Sequence, residues 1–459
     1  MTANGAVHLS EVVGALSYAL DITEGQPVGH SIRSCWLGMH VARHIGLSET
    51  AQSDLYYTLL LKDIGCSSNA ARICRLYLAD DLNFKQAYKF VDSRLPDVLR
   101  FLIANTARGS GMVERLQTLV HIARNGGEIA RELIETRCQR GADIARTMRF
   151  GEDVAQGILD LDEHWDGSGH PLGRTGEEIS LFSRIALLAQ VADVFFMRGG
   201  PDAALAEVES RSGRWFDPSI VDAFKAVANN PHIWNTMRSD DLPAHVVAME
   251  PVTLVREVDE DYLDDIAAGF AQVVDAKSPF TAGHSDRVAL FADLIAGELG
   301  YSATRRRWLR RAALLHDIGK LGVPNSILDK NGKPDPEEWA SIRRHPELGR
   351  TILAKIAALE DTATIAGSHH ERLDGGGYPR GIGANEIDLD TRIVTVADIF
   401  DALTADRPYR KAMPPLQAFS VMQADIGTAI DEACFAALQR GFVRMKDVTN
   451  DGENLRQAS

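Results

Sequence analysis

One half of this chain repeats the other, and that constrains the fold more than any single motif. Asp21-Ile22-Thr23 through Gly29-His30-Ser31-Ile32-Arg33 resembles Asp275-Ala276-Lys277 through Gly283-His284-Ser285-Asp286-Arg287, 254 positions later. Leu60-Leu61-Lys62-Asp63-Ile64-Gly65 matches Leu314-Leu315-His316-Asp317-Ile318-Gly319 in the same register. Further on, Asp166-Gly167-Ser168-Gly169-His170-Pro171 aligns with Asp374-Gly375-Gly376-Gly377-Tyr378-Pro379 at an offset of 208, and Ala192-Asp193 with Ala397-Asp398 at 205. The first copy therefore carries about 46 extra residues, which the apolar spacing of Phe90, Val91, Leu95, Val98, Leu99 and Leu102 assigns to added helices in the region 70–128.

Helical periodicity runs through both copies. Ile266, Phe270, Val273 and Val274 recur at one helical face, as do Leu309, Ala312, Ala313 and His316. The expected fold class is all-α, two helical domains in tandem: residues 1–240 with the helical insertion, a linker at 241–259 broken by Asp-Asp-Leu-Pro and Met-Glu-Pro, and a second domain at 260–459. Short strands are expected at Val246-Val247-Ala248 and Val252-Thr253-Leu254-Val255.

A net charge of −15 argues against a protein that coats nucleic acid or an anionic membrane, so an anionic substrate must be held by local cations. The five cysteines are scattered, odd in number and without a CxxC spacing, which reads as packing in a reducing cytoplasm. Neither a secretory leader nor a long apolar run is present, so the expected location is cytoplasmic.

The chemistry concentrates in the second copy. His369-His370-Glu371-Arg372-Leu373-Asp374-Gly375-Gly376-Gly377-Tyr378-Pro379 follows His316-Asp317 and precedes Asp398. Imidazoles and carboxylates with no cysteine among them suit octahedral iron or manganese and the hydrolysis of phosphate esters. Asp317, at a helix C-terminus where an acid is unfavourable beside the dipole, can bridge two cations with its two oxygens. The three glycines permit positive φ and close backbone approach, which makes 374–379 a shaped loop. A tyrosine on such a loop either packs or stacks on a base.

These residues, with Gly283-His284-Ser285, His316-Asp317-Ile318-Gly319-Lys320, His345-Pro346-Glu347-Leu348-Gly349 and Ala397-Asp398-Ile399-Phe400-Asp401 through Arg407-Pro408-Tyr409-Arg410, resemble the HD-GYP family of HD-superfamily phosphohydrolases over residues 260–440. The resemblance implies a phosphodiesterase hydrolysing cyclic di-GMP to pGpG, with slower or no further hydrolysis to GMP where the site is dinuclear, by attack of a metal-bridging hydroxide. It implies metal ligands His284, His316, Asp317, His345, His369, His370 and Asp398 holding two divalent ions, iron or manganese, with Asp317 bridging. Catalytic and substrate contacts fall to Lys320, and further substrate contacts to Tyr378, Arg407 and Arg410. Some members bind a third ion through a glutamate four residues before the first histidine. Phe280 stands there, so a dinuclear site is expected.

Carried onto the first copy, the ligand set keeps His30, Asp63 and Asp193, while Lys62, Arg137, Leu161 and Asp162 replace His316, His345, His369 and His370, and Cys66 replaces Lys320. Cations at ligand positions can balance the carboxylates that metal would otherwise serve. The first domain is thus expected to be degenerate and regulatory, offering a face for homodimerisation or for a signalling protein. Two alternatives stand beside the leading reading: another cyclic dinucleotide or nucleotide as substrate, or a catalytically weak nucleotide-binding module.

Overall fold

The computed structural model describes residues 7–91, 95–107, 111–251, 256–407 and 410–457. It divides into two compact units, residues 1–269 with 324–326, and residues 270–323 with 327–459. Both are helical, and among the described residues the only β-pairing is isolated bridges. No described helix is long and apolar enough to cross a membrane.

The first unit begins with α1 (Leu9–Thr23), α2 (His30–His44) and α3 (Glu49–Leu61), followed by a 3₁₀ turn at Cys66–Asn69. The added segment then supplies α4 (Ala70–Tyr77), α5 (Asp81–Tyr88), α6 (Leu95–Asn105) and the long α7 (Met112–Thr147). These form their own apolar cluster of Ile73, Tyr77, Phe84, Phe101, Ile122, Ile129 and Leu133. The core resumes with α8 (Glu152–Leu159), α9 (Leu181–Ser210) and α10 (Pro218–Ala228), and the chain leaves through α11 (Pro231–Met237) and α12 (Leu242–Val247). The strand expected at 246–248 is therefore the end of α12 and its cap. Pro243 in its first turn sets a helical φ that outweighs the β-branched pair. The strand expected at 252–255 lies outside the described residues.

The boundary between units falls within α13 (Glu260–Asp275). Then come α14 (His284–Glu298), α15 (Ala303–Leu315), a 3₁₀ turn at Ile318–Gly322, α16 (Asn325–Leu328), α17 (Pro336–Ile342), α18 (His345–Leu353), α19 (Glu360–Ala366), α20 (Leu389–Thr404), α21 (Pro415–Gln423) and α22 (Glu432–Gln457). Val288, Ala292 and Ile295 of α14, Leu309 and Ala313 of α15, Ile393, Val396 and Phe400 of α20, and Phe435 and Leu438 of α22 close one core. Phe400 stacks on Phe419 at 4.9 Å and meets Phe291 edge-on.

Local devices recur in the repeat. Ser48 and Ser302 each cap the following helix, accepting the N–H of Ala51 and Arg305 at 3.3 Å. Gly29 and Gly283 hold φ of 86° and 66° before α2 and α14, a conformation that favours glycine. Asp21 and Asp275 each accept from the hydroxyl of the serine after the following histidine, Ser31 at 2.8 Å and Ser285 at 2.7 Å.

Candidate metal centre

His316 and Asp317 stand where α15 stops. His345 opens α18, His369 and His370 follow α19, His284 opens α14, and Asp398 lies inside α20. These seven residues, far apart in sequence, come together in two groups: Asp317 with His345, His369 and His370, and His284 with His316 and Asp398. Asp317 joins them. Its Oδ1 lies 3.3 Å from His345 Nε2 and 3.5 Å from His369 Nε2, while its Oδ2 lies 3.3 Å from His284 Nε2 and 3.4 Å from His316 Nε2.

The histidines are held in one orientation. His316, His345 and His369 each donate Nδ1–H to the carbonyl three residues earlier, Ala313 at 2.7 Å, Ile342 at 2.7 Å and Ala366 at 2.9 Å. His284 directs Nδ1 to Asp401 at 2.6 Å, a carboxylate that Arg287 also holds. With Nδ1 of these four rings engaged outward, their Nε2 atoms face the shared carboxylate, which is how imidazole ligands are set for a metal. Burial lowers His316 to about 4 and drives His345 and His370 down as well, keeping the rings neutral and able to ligate. Burial also opposes ionisation of Asp317, but His316 and Lys320 outweigh it and hold the carboxyl well below its ordinary range.

His284 Nε2, His316 Nε2 and Asp317 Oδ1 are buried with no hydrogen-bond partner. Stranding so many polar atoms in one place is costly unless something else satisfies them. Their donor set, imidazole nitrogen and carboxylate oxygen without thiolate, fits divalent iron or manganese.

The other expected contacts are placed differently. Lys320 pairs with Asp317 at the rim of the centre. Tyr378 stacks on His370 at 4.8 Å. Arg410 turns its guanidinium back onto the end of α20, donating to the carbonyls of Leu403 at 2.8 Å and Ala402 at 2.5 Å, so its fork is engaged in capping. Arg407 joins the backbone of Arg410 across an isolated bridge. Phe280 is half-buried, four residues before His284. The loop 374–379 is fixed by Glu371, which accepts the N–H of Arg380 at 2.7 Å and of Ile382 at 3.1 Å. Sequence reasoning missed Asp401. Its signal was a second aspartate three residues after Asp398, one turn further along the same helix.

Several contacts of this lobe recur in the first unit, and they correct one alignment. Asp193 accepts from His30 Nδ1 at 2.7 Å and from Arg33, as Asp401 does from His284 and Arg287, so Asp193 corresponds to Asp401 rather than to Asp398. The 208-residue offset of the glycine loop then holds onward, Glu163 accepts from Leu172 and Arg174 as Glu371 does from Arg380 and Ile382, and Gln190 occupies the position of Asp398. His30 and Asp63 are thus the retained ligand-type residues. Lys62 pairs with Asp63, Arg137 pairs with Asp162, and Lys89 reaches Glu24 at 3.1 Å and Asp63 at 3.9 Å. Glu24, Asp63 and Cys66 lie close enough to suggest a ligand group, but the ammonium groups around them occupy the carboxylates. Burial first, then the charge of Lys62, lowers His30 to about 4. In the second unit burial also lowers His284, yet Asp317, Asp401 and Asp398 together raise it to about 9.

An all-helical lobe that gathers histidines and aspartates around one shared carboxylate defines the class of metal-dependent phosphohydrolases. The chain belongs to the HD domain family, whose profile matches residues 99–220 and 270–434, and the HD-GYP type read from the second half stands with it. Among its relatives, a 3′3′-cGAMP-specific phosphodiesterase of Vibrio cholerae is 52% identical over 96% of this chain and 95% of its own length. A cyclic di-GMP phosphodiesterase response regulator of Xanthomonas campestris is 34% identical over 46% of this chain and 57% of its own. A crystal structure of a cyclic GMP-AMP-specific phosphodiesterase of V. cholerae superposes with a TM-score of 0.65 at 47% identity, covering 95% of this chain and 98% of that one.

Proposed function

We propose that the second unit is a metal-dependent phosphodiesterase that opens a cyclic dinucleotide, and that 3′3′-cGAMP is its preferred substrate. The observation that carries the chemistry is the division of Asp317, one oxygen facing His345 and His369 and the other facing His284 and His316. His284, His316, His345, His369, His370, Asp317 and Asp398 would hold two divalent ions, with iron or manganese as the native metal. Bound there, such ions supply Lewis acidity and lower the pKa of a coordinated water.

The residues of the chain do the rest. Water adds to phosphorus, one P–O3′ bond breaks, and a linear dinucleotide with a 5′-phosphate leaves. The inward Nε2 atoms and the buried carboxylates exclude bulk water from the centre. Lys320, part-exposed at the rim, brings positive charge to the phosphoryl oxygens. Support for 3′3′-cGAMP comes from the V. cholerae relative that matches nearly end to end. Cyclic di-GMP, the expectation from the sequence, is the second reading, favoured by relatives that share about half of the chain. We read the first unit as a worn copy whose lysines and Arg137 stand in for metal, leaving it a regulatory role.

The test is turnover of both dinucleotides by anaerobically prepared, manganese- or iron-loaded protein. A linear product, faster from 3′3′-cGAMP and lost in Asp317→Asn, is expected. Undiminished activity in that variant, or no activity on either compound, overturns the reading.

A further inference from the structure

The histidine pair continues outward as a ladder of rings. His369 and His370 lie 4.1 Å apart, Tyr378 stacks on His370 at 4.8 Å with 30° between planes, and Trp339 meets Tyr378 edge-on at 5.9 Å. The ladder ends in solvent, where Trp339 is 43% exposed. Arg343 lies over the Tyr378 ring at 5.1 Å.

Core packing does not explain Trp339. Helix α17, which carries it, has no buried residue. Yet the helix is built firmly. Pro336 sits in its first turn, Asp335 accepts the N–H of Glu337 and Glu338 at 2.9 Å, Glu338 returns to the N–H of Asp335 at 2.8 Å, and Lys330 ties Glu338 down at 2.5 Å. A braced helix without a buried residue that leaves a large aromatic side chain nearly half exposed, with only Tyr378 between it and His370, is arranged to meet a flat ligand.

The first unit supplies a contrast. At the 208-residue offset, Arg131, His170 and Asp162 align with Trp339, Tyr378 and His370, and burial first, then the charge of Arg131, lowers His170. The aligned position carries no indole, and most of the ligand set is absent with it.

Resting on the proposed activity, we infer that Trp339 is a substrate-binding residue, its exposed side chain stacking on one purine of the cyclic dinucleotide while the scissile phosphodiester lies at the Asp317 centre. Arg343 adds a cation to the same wall.

The experiment compares wild type, Trp339→Ala and Trp339→Phe as manganese-loaded full chain, measuring bound metal and turnover of 3′3′-cGAMP, cyclic di-GMP and glycerophosphoglycerol, a purine-free diester with no flat ring to stack. Trp339→Ala should raise KM for the preferred dinucleotide about tenfold, within the range for losing one stacked base. Its kcat should stay within about twofold, as for uniform binding energy. Hydrolysis of the purine-free diester and metal content should be unchanged, and Trp339→Phe should recover most of the loss. An unchanged KM overturns the inference. So does a parallel fall for the purine-free diester, which would make Trp339 a structural prop for Tyr378. Wild-type protein that cleaves the purine-free diester but neither dinucleotide would instead defeat the functional reading itself.

Discussion

Asp401 accepts a hydrogen bond from His284 Nδ1 at 2.6 Å, and so decides which nitrogen of that ring faces Asp317. A carboxylate behind a ligating histidine fixes its tautomer and raises its basicity. Asp401→Asn, with an amide that can also present N–H to the ring, should cost about 10- to 100-fold in metal affinity or kcat/KM. Metal titration of the purified variant, beside Asp398→Asn as the comparison at a proposed ligand, measures it. Unaltered affinity would show that Asp401 only packs.

Gly319 is fixed by crowding. A Cβ there would meet the His345 carbonyl oxygen at 1.9 Å and the Gly349 nitrogen at 2.7 Å, both backbone atoms that cannot step aside. Gly319→Ala should push α18 away, displace His345, and lower both the melting temperature and the metal content, at a cost of about 1–3 kcal/mol for overpacking. Calorimetry with metal analysis reads both effects.

In the first unit, Asp63 is buried and held at about 2, burial opposing and the charges of Lys62 and Lys89 overcoming it. Lys62→Met removes its nearest cation. Breaking a buried pair from one side typically costs about 3–5 kcal/mol, so the transition of the first unit should fall by several degrees in calorimetry. A variant as stable as wild type would mean that Lys89 alone suffices.

Two buried groups of the same unit titrate in opposition. Burial lowers His30 to about 4, so its contribution is present above the unfolded value near 6.5 and is lost as pH falls toward 4. Burial raises Asp21 to about 6, so its contribution is present below the unfolded value and is lost as pH rises through 6. Each shift corresponds to roughly 3 kcal/mol, and between pH 4 and 6 they oppose. Denaturant unfolding at pH 4.5 and 7 should therefore show little difference from this pair in wild type, a gain on acidification in His30→Gln, and a loss in Asp21→Asn. Identical pH slopes in all three would refute the assignment.

Much of the centre was legible because its chemistry is carried by residue type. The set His284, His316, Asp317, His345, His369, His370 and Asp398 was implied by the resemblance of their motifs, and these residues do lie in two neighbouring groups. Legibility failed where identity and register disagreed. Ala192-Asp193 matches Ala397-Asp398 letter for letter, but the hydrogen bond from His30 places Asp193 with Asp401, one helical turn away. The offset of the glycine loop, carried on unchanged, would have found Gln190. Arg410 illustrates the opposite limit: the resemblance implies a substrate contact, whereas the course of the chain turns its fork onto the carbonyls of Leu403 and Ala402 at the end of α20. Trp339 had no signal in sequence, since an isolated tryptophan carries no periodicity.

The placement of Asp317 has a consequence for loading. Because the two oxygens of one carboxyl group face different histidine pairs, an ion held by either group would fix the plane of that carboxyl and so orient its other oxygen toward the other group. Occupancy should then rise steeply with metal concentration, with half-filled molecules scarce at every point of a titration.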